Sequence, residues 1–280
     1  MRALNQPQSW WGWHGWAGHP VPLSITDILH AGTMSAEMAG LFWLALERRA
    51  SIILAADPPS AGKTTILTAL LAFLPPETRV YFTCGWGETF DLPPLGDGPP
   101  IYILVNEISD EIPVYSWGPY VVRVFELLAE GYSLGSTMHA DTVEEAIARL
   151  EEDNGVPRRR LAHLTFLATM YVAYAGGRVL RRLSEVALLG PDDGAGNDLA
   201  VTPICRWEAE GDSFRLLERR ETAAALARRL GLPEGELRRE MGRRGRFLAR
   251  LVRAGVLDQM AVEHAIAEYR GGATLRGAPR

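Results

Sequence analysis

Nine residues, "DPPSAGKTT" (57–65), contain the single lysine of a 280-residue chain that otherwise carries 28 arginines. Where arginine has served everywhere else, a retained Lys63 marks a place that needs a compact, swivelling ammonium rather than a planar guanidinium. A phosphate-binding loop is such a place. There the backbone N–H groups of a tight turn point inward and the next helix aims its positive end at the phosphates. Gly62 lets the main chain approach without a Cβ. Lys63 would neutralise β- and γ-phosphate charge, and the Thr64 hydroxyl would ligate Mg²⁺. Asp57, Pro58, Pro59, Ser60, Ala61, Gly62, Lys63, Thr64 and Thr65 are therefore expected to line a site for the phosphates of ATP with Mg²⁺. One position departs from the G-x-x-x-x-G-K-[ST] pattern: Asp57 replaces the first glycine, and Pro58 and Pro59 stiffen the turn.

Two further residues belong to the same chemistry. "IYILVNEISD" (101–110) is an apolar strand that ends in an acid. Glu107 is expected to orient or deprotonate the attacking water, and to reach Mg²⁺ through a water. The plain alternative is a strand-end carboxylate in solvent. "STMHADT" (136–142) ends another strand at the same edge, which places His139 to hydrogen-bond a γ-phosphate. A lone histidine is more often structural.

The elements that must position these residues are readable as well. "SIILAA" (51–56), "RVYFTC" (79–84) and "IYILV" (101–105) are continuous apolar runs, as in parallel strands buried on both faces. Helical stretches at 64–74, 121–131 and 143–153 alternate with them and with a strand over 134–140, so an α/β layered domain around a mainly parallel sheet is expected. From Ser35, "SAEMAGLFWLALERR" reads as an amphipathic helix with a serine N-cap and arginines in its last turn. "PDDGAGND" (191–198) reads as a polar turn or linker, followed by a hairpin around "EGDS" and three helices at 221–231, 234–254 and 257–269. The division is then a Trp/Gly-rich N-terminal arm (1–33), a linker helix (34–50), a P-loop core (51–190), and a hairpin with a small C-terminal helical subdomain (199–280). The arm's "WWGWHGWAGHPVP" is too glycine-rich for a helix and is read as a surface for packing on the domain or on a neighbouring subunit.

Composition narrows the partners. The net charge is −5, but residues 201–280 carry 16 arginines against 11 acids, and residues 1–200 carry 13 cations against 23 acids. The arginines of the basic tail interleave with Glu and Leu as on solvated helix faces, so a nucleic-acid partner is not expected. Cys84 and Cys205 are isolated and are read as free thiols of a reducing compartment. No basic-then-apolar leader is present, and no apolar stretch approaches the ~20 residues of a membrane span, so a cytoplasmic chain without an integral membrane segment is expected.

Four segments together resemble the secretion-ATPase family, the hexameric ATPases of type II and type IV secretion, type IV pili and archaella. They are "MSAEMAGLFWLALERRASIILAADPPSAGKTTILTALLAFLPPETRVYF", "ILVNEISD", "AEGYSLGSTMHADTVEEAIARL" and "GGRVLRRLSEV". The likeness covers roughly residues 22–190, and 244–269 resembles the helical tail of the pilus and archaellum branch. The resemblance implies a RecA-like P-loop core and a cytoplasmic homo-oligomeric ring at the inner face of the membrane. It also implies a membrane platform partner and ATP hydrolysis that drives filament assembly or secretion. Lys63 and Thr64 would hold phosphate and Mg²⁺, Glu107 would be the catalytic glutamate, and His139 would belong to the family's histidine box.

Departures from the family pattern qualify this. The usual acidic box after the second strand reads "GWGETF" (85–90), with only Glu88 nearby. Asn106 stands for a glycine, Ser109 for an arginine and Tyr132 for the first histidine of the box. The upstream domain that supplies trans-acting arginines is almost absent, and Arg48 and Arg49 are candidate substitutes. Three readings follow: a minimal ring ATPase, a nucleotide-binding ring subunit with weakened turnover, and a RecA-like nucleic-acid motor.

Overall fold

Short apolar runs between helices commit the chain to strands buried on both faces. The computed structural model of the protein describes residues 1–5, 22–58, 60–96, 98–175, 177–192 and 198–274. In chain order come β1 (Arg2–Ala3), α1 (Ile25–His30), α2 (Ala36–Leu46), β2 (Ile52–Ala55), α3 (Lys63–Leu71), β3 (Arg79–Phe82) and β4 (Ile101–Leu104). There follow α4 (Pro119–Glu130), β5 (Ser133–Met138), α5 (Val143–Ala148) with a π-helical turn (Arg149–Asp153), and α6 (Arg158–Leu161). Then come β6 (Phe166–Ala175), β7 (Arg178–Pro191), β8 (Leu199–Glu208) and β9 (Ser213–Leu216). The last helices are α7 (Arg220–Arg229), α8 (Glu234–Arg253) and α9 (Gln259–Thr274).

These strands form one sheet in the order β1-β3-β4-β5-β2-β6-β7-β8-β9. Pairings from β1 to β6 are parallel, and the extension through β7, β8 and β9 is antiparallel. The result is the α/β fold around a mainly parallel sheet that the sequence predicts. Alternation along the strands divides the interior. Ile52, Leu54, Tyr102 and Leu104 face a core shared with α1–α3 and α7–α9, while Ile53, Ala55, Ile103 and Val105 face one shared with α4–α6. Because β5 lies between β2 and β4, the ends of all three strands reach one edge of the sheet, where α/β proteins place their ligands.

Residues 1–33, read as an irregular arm, contain ordered structure at both ends. β1 pairs with β3, and α1 is opened by a capping box between Ser24 and Asp27. The Trp/Gly-rich stretch itself falls within 6–21, outside the described residues.

The helix after Ser35 corrects a second expectation. Ser35 caps it as read, its side chain accepting from the Met38 N–H at 3.1 Å. It is not amphipathic, however: every residue from Met38 to Leu46 is buried, and Arg48 and Arg49 lie beyond its end. The reason is α8, distant in sequence, which covers the side that would otherwise face water. A Cβ on Gly40 would lie 2.4 Å from the Met241 carbonyl oxygen, and one on Gly245 would lie 2.8 Å from that of Ala36, so the helices meet backbone to backbone. Trp43 stacks on Phe73 with ring centroids 5.2 Å apart and also meets Phe247 and Tyr269. Glu47 accepts hydrogen bonds from Arg244 and Arg270, which ties α8 and α9 to the end of α2.

Gly40→Ala is expected to destabilise the protein by about 1–3 kcal/mol, because neither backbone at the crossing can yield. Gly235→Ala, in α8 with open space where its Cβ would lie, should instead be neutral or stabilise by up to about 1 kcal/mol. Urea unfolding of the two variants beside the parent checks the contrast.

Candidate phosphate-binding site

β2 ends at the loop, and α3 begins at Lys63 with Gly62 as its N-cap. Gly62 adopts a left-handed φ of 98°, and no side chain caps the helix, so the first N–H groups of α3 stay open toward the loop. Ser60 turns through the left-handed region at φ 61°. The Pro58 carbonyl accepts the Ala61 N–H at 3.3 Å, which tightens the turn. Pro59, expected in the site, lies outside the described residues. Thr64 sits half-buried in the first turn of α3, its carbonyl accepting from the Thr68 hydroxyl at 2.7 Å.

Lys63 is only 7% exposed, and its Nζ donates to the Ala56 carbonyl at 3.0 Å. Burial pushes its pKa below the ordinary lysine range, and the Glu107 carboxylate opposes the shift without cancelling it. Glu107 Oε1 lies 3.4 Å from Nζ and 2.6 Å from His139 Nε2. Neither approach has hydrogen-bond geometry, so this buried oxygen faces the ammonium and an imidazole nitrogen without a directed donor.

A β-bulge aims the glutamate. Strict alternation would put Glu107 on the face of Ile103 and Val105, against α4–α6 and away from the loop helix. Leu104 pairs with Gly135 and Ile108 with Met138, four steps along one strand for three along the other. Ile108 accordingly returns to the α4–α6 core. The extra residue leaves Asn106 and Glu107 both on the α3 side. The Asn106 carbonyl accepts the Thr137 hydroxyl at 2.9 Å, whereas its buried Nδ2 has no acceptor.

His139 arrives from β5 between the other two. Its Nδ1 is 2.9 Å from the Asp57 carbonyl oxygen, and since a carbonyl can only accept, the ring donates from Nδ1. Lys63 Nζ lies 3.4 Å from both ring nitrogens. Asp57, in the glycine position, works through its main chain: its N–H donates to Asp141 Oδ1 at 3.3 Å while its side chain is exposed. The structure thus brings together Lys63, Glu107, His139 and Asp57 of the expected set. Among the described residues, no group of three or more His, Cys, Asp or Glu is arranged to hold a metal ion.

Glu88, Tyr132 and Arg48, noted in the sequence as departures or substitutes, have partners of their own. Glu88 is buried in the loop after β3, accepting from the Tyr81 hydroxyl at 2.6 Å and from the Cys84 and Phe90 N–H groups at 2.8 and 2.7 Å. Tyr132 donates its hydroxyl to the Pro93 carbonyl at 2.8 Å. Arg48 and Arg49 precede β2, at the end opposite the loop, and Arg48 donates to the Leu230 carbonyl at 3.2 Å. Sequence reasoning missed Arg181 of β7, which donates from Nη2 to the Ser60 carbonyl at 3.2 Å. Nothing in the chain's arginine-rich composition distinguished it.

No protein-family model matches the chain. Two curated proteins of Methanocaldococcus jannaschii, Uncharacterized protein MJ1287 and Uncharacterized protein MJ0900, are each 26% identical to it. The first match covers 81% of this chain and 90% of the relative, and the second covers 92% and 51%. Among solved structures, the VirB11 ATPase from the Brucella suis type IV secretion system in complex with sulphate is similar at a TM-score of 0.39 and 20% identity. That match covers 52% of this chain and 50% of the other. The Legionella pneumophila ATPase DotB gives a TM-score of 0.37 and 11% identity, over 86% of this chain and 63% of its own. The chain spans less than two thirds of either solved protein, and the site geometry above stands independently of both.

Because Lys63 is the sole lysine, ¹³C-lysine labelling yields one ε-methylene signal to titrate. Its midpoint is expected below 10.5. Glu107→Gln should lower it further, since the carboxylate favours the ammonium form, and bound tripolyphosphate should raise it for the same reason. NMR titration of the parent, the variant and the liganded protein checks all three directions.

Proposed function

We propose that the chain is a Mg²⁺-dependent ATP hydrolase of the secretion-ATPase type, a motor subunit that powers filament assembly or protein export. The observation that carries this reading is the meeting of Lys63, Glu107 and His139 within 3.4 Å of one another beside the uncapped start of α3. Two orphaned buried atoms fit such a ligand: Asn106 Nδ2 lacks an acceptor, and Glu107 Oε1 lacks a directed donor. A polyphosphate and its attacking water would supply one of each.

The loop N–H groups and the α3 N-terminus receive the phosphates, and Lys63 exchanges the Ala56 carbonyl for them. Thr64 would ligate a bound Mg²⁺ and Glu107 would reach it through a water, and the ion would supply neutralisation of charge on the phosphate oxygens. Glu107 takes a proton from the attacking water as the bond from γ-phosphorus to the bridging oxygen breaks and ADP departs with the electron pair. His139, fixed by the Asp57 carbonyl, stands beside Glu107 on the loop side. By the family resemblance, the working form is a homo-oligomeric ring, of six copies, in the cytoplasm against a membrane platform protein. No helix among the described residues is long and apolar enough to cross a membrane.

A second reading, a nucleotide-binding ring subunit with weakened turnover, is favoured by one observation. Glu88, the acid nearest to the missing acidic box, is already consumed by three donors, the Tyr81 hydroxyl of β3 and the Cys84 and Phe90 N–H groups of its own loop. Loss of a trans-acting arginine costs ~10³–10⁵ in rate in other P-loop enzymes.

Steady-state Mg²⁺-ATP hydrolysis over a range of protein concentrations separates the two. The motor reading expects turnover per subunit that rises with concentration, falls ~10²–10⁴-fold in Glu107→Gln, and vanishes in Lys63→Ala. Tight ATP binding with no turnover above the Glu107→Gln level selects the second reading. Absence of ATP binding by the parent refutes both.

A further inference from the structure

A cavity of about 470 Å³ lies between the β7–β8 pair and α7, away from the phosphate loop. Leu188, on its floor, pairs with Phe166, and Phe166 pairs with Ile52 at the start of β2. The phosphate loop follows the far end of that strand, so the cavity sits toward the opposite edge of the sheet. Its volume is within the ~300–1,000 Å³ usual for small-molecule sites.

Strand register makes the gap. Leu188 lies opposite Thr202 and Gly190 opposite Ala200, which puts these four on one face of the sheet. A Cβ built on Gly190 would meet nothing within 4 Å. Gly190 and Ala200 on the sheet and Ala225 on the helix are too small to fill the space between the two layers. Leu188 and Pro191 complete an apolar wall.

A half-buried cation opens onto this gap. Arg229, in the last turn of α7, donates from Nη2 to the His163 carbonyl at 2.8 Å, its one side-chain partner among the described residues. Burial disfavours its charge and no carboxylate restores it, whereas Arg244, also half-buried, meets both Glu47 and Glu240. The same excess of positive charge reaches His163, whose imidazole is pushed below its ordinary range by burial and then by Arg229 and Arg160. A guanidinium carries five N–H donors in a fork that matches an oxyanion. The Thr202 hydroxyl, also in the lining, makes no hydrogen bond among the described residues. The described lining sets one acid, Asp192, against two arginines, Arg228 and Arg229, so its balance is positive.

We propose that this cavity binds a small organic oxyanion, with Arg229 and Thr202 holding the anionic end and the apolar wall and Ala225 holding its body. A carboxylate and a phosphate monoester both satisfy that lining. An occupant would tie the end of α7 to the β7–β8 pair, across the space the small residues leave. The site is independent of the phosphate loop and of what the loop binds.

Calorimetric titration of the full chain with benzoate, phenyl phosphate, benzyl alcohol and inorganic phosphate tests it. Benzoate or phenyl phosphate is expected to bind, the tighter of the two naming the anion. That probe should bind at least about tenfold tighter than benzyl alcohol, which lacks the charge, and than inorganic phosphate, which lacks the apolar body. Arg229→Leu should weaken it at least about tenfold. Gly190→Val should abolish binding by filling the gap; Gly190 lies in β7 outside the left-handed region, so valine suits its backbone. The two variants alter different walls, so a failure of one to fold leaves the other to decide. Lys63→Ala should bind the probe as the parent does. Loss of binding in Lys63→Ala places the anion at the phosphate loop and overturns the proposal. Parent-like affinity in Gly190→Val or in Arg229→Leu overturns the location. Benzyl alcohol or inorganic phosphate binding as tightly as the aromatic anions overturns the ligand class, and failure of both aromatic anions to bind overturns the site.

Discussion

A buried ammonium must have a carboxylate within reach, and the arrangement around Lys63 follows from that requirement. Burial alone disfavours the charge on Lys63, and Glu107 is the group that does most to restore it. The carboxylate comes from a strand whose alternation would aim it at the opposite helical layer, so the ladder gains one residue to turn it around. The histidine between them comes from the intervening strand, and its ring is fixed by the main chain of the very loop that carries the lysine. Loop, acid and histidine therefore form one closed set of contacts, in which each member's position depends on the other two.

Much of this was legible in the sequence, and the limits have physical causes. Lys63, Glu107 and His139 were visible because their residue types are rare in their settings and strand ends of a parallel sheet converge on one edge. The bulge was not visible, since one extra residue in a ladder leaves no compositional mark; Asn106 registered only as a missing glycine. Asp57 was recognisable as a departure, but its role runs through its N–H and carbonyl, which every residue possesses. Arg181 was one arginine among many. The burial of α2 depends on Gly245, about two hundred positions from Gly40, and no local pattern announces a contact between two glycine backbones. α1 was absorbed into the reading of an irregular arm, although its Ser24–Asp27 capping pair is a recognisable start signal.

The C-terminal helices take part in the main core rather than resting on its surface. α7, α8 and α9 contribute buried side chains to the same cluster as α1, α2 and α3. Trp43 gathers rings from α8 and α9, and Glu47 gathers an arginine from each, so the helix that leads into β2 is held by the last two helices. Arg182 adds a further brace: it binds Asp212 through two nitrogens at 2.7 Å and reaches the Ala31 carbonyl, joining the end of α1 to the β8–β9 turn. The Arg182 and Trp207 donors hold the Asp212 carboxyl down to about 2. That brace is fully present above the ordinary aspartate range and is lost as pH falls toward that value. Asp212 is largely exposed, so water screens much of its worth.

One lysine in 280 residues also makes the protein its own reporter. An amine-acylating reagent meets a single side-chain amine, and it is the one at the phosphate loop. The environment that disfavours the ammonium also raises the fraction present as free amine, the nucleophilic form. Acylation there erases the charge on which the loop depends, and any ligand that draws Lys63 into contact with phosphate shields it. In most chains such chemistry is lost among many surface lysines; here, covalent labelling of side-chain amines reads Lys63 alone.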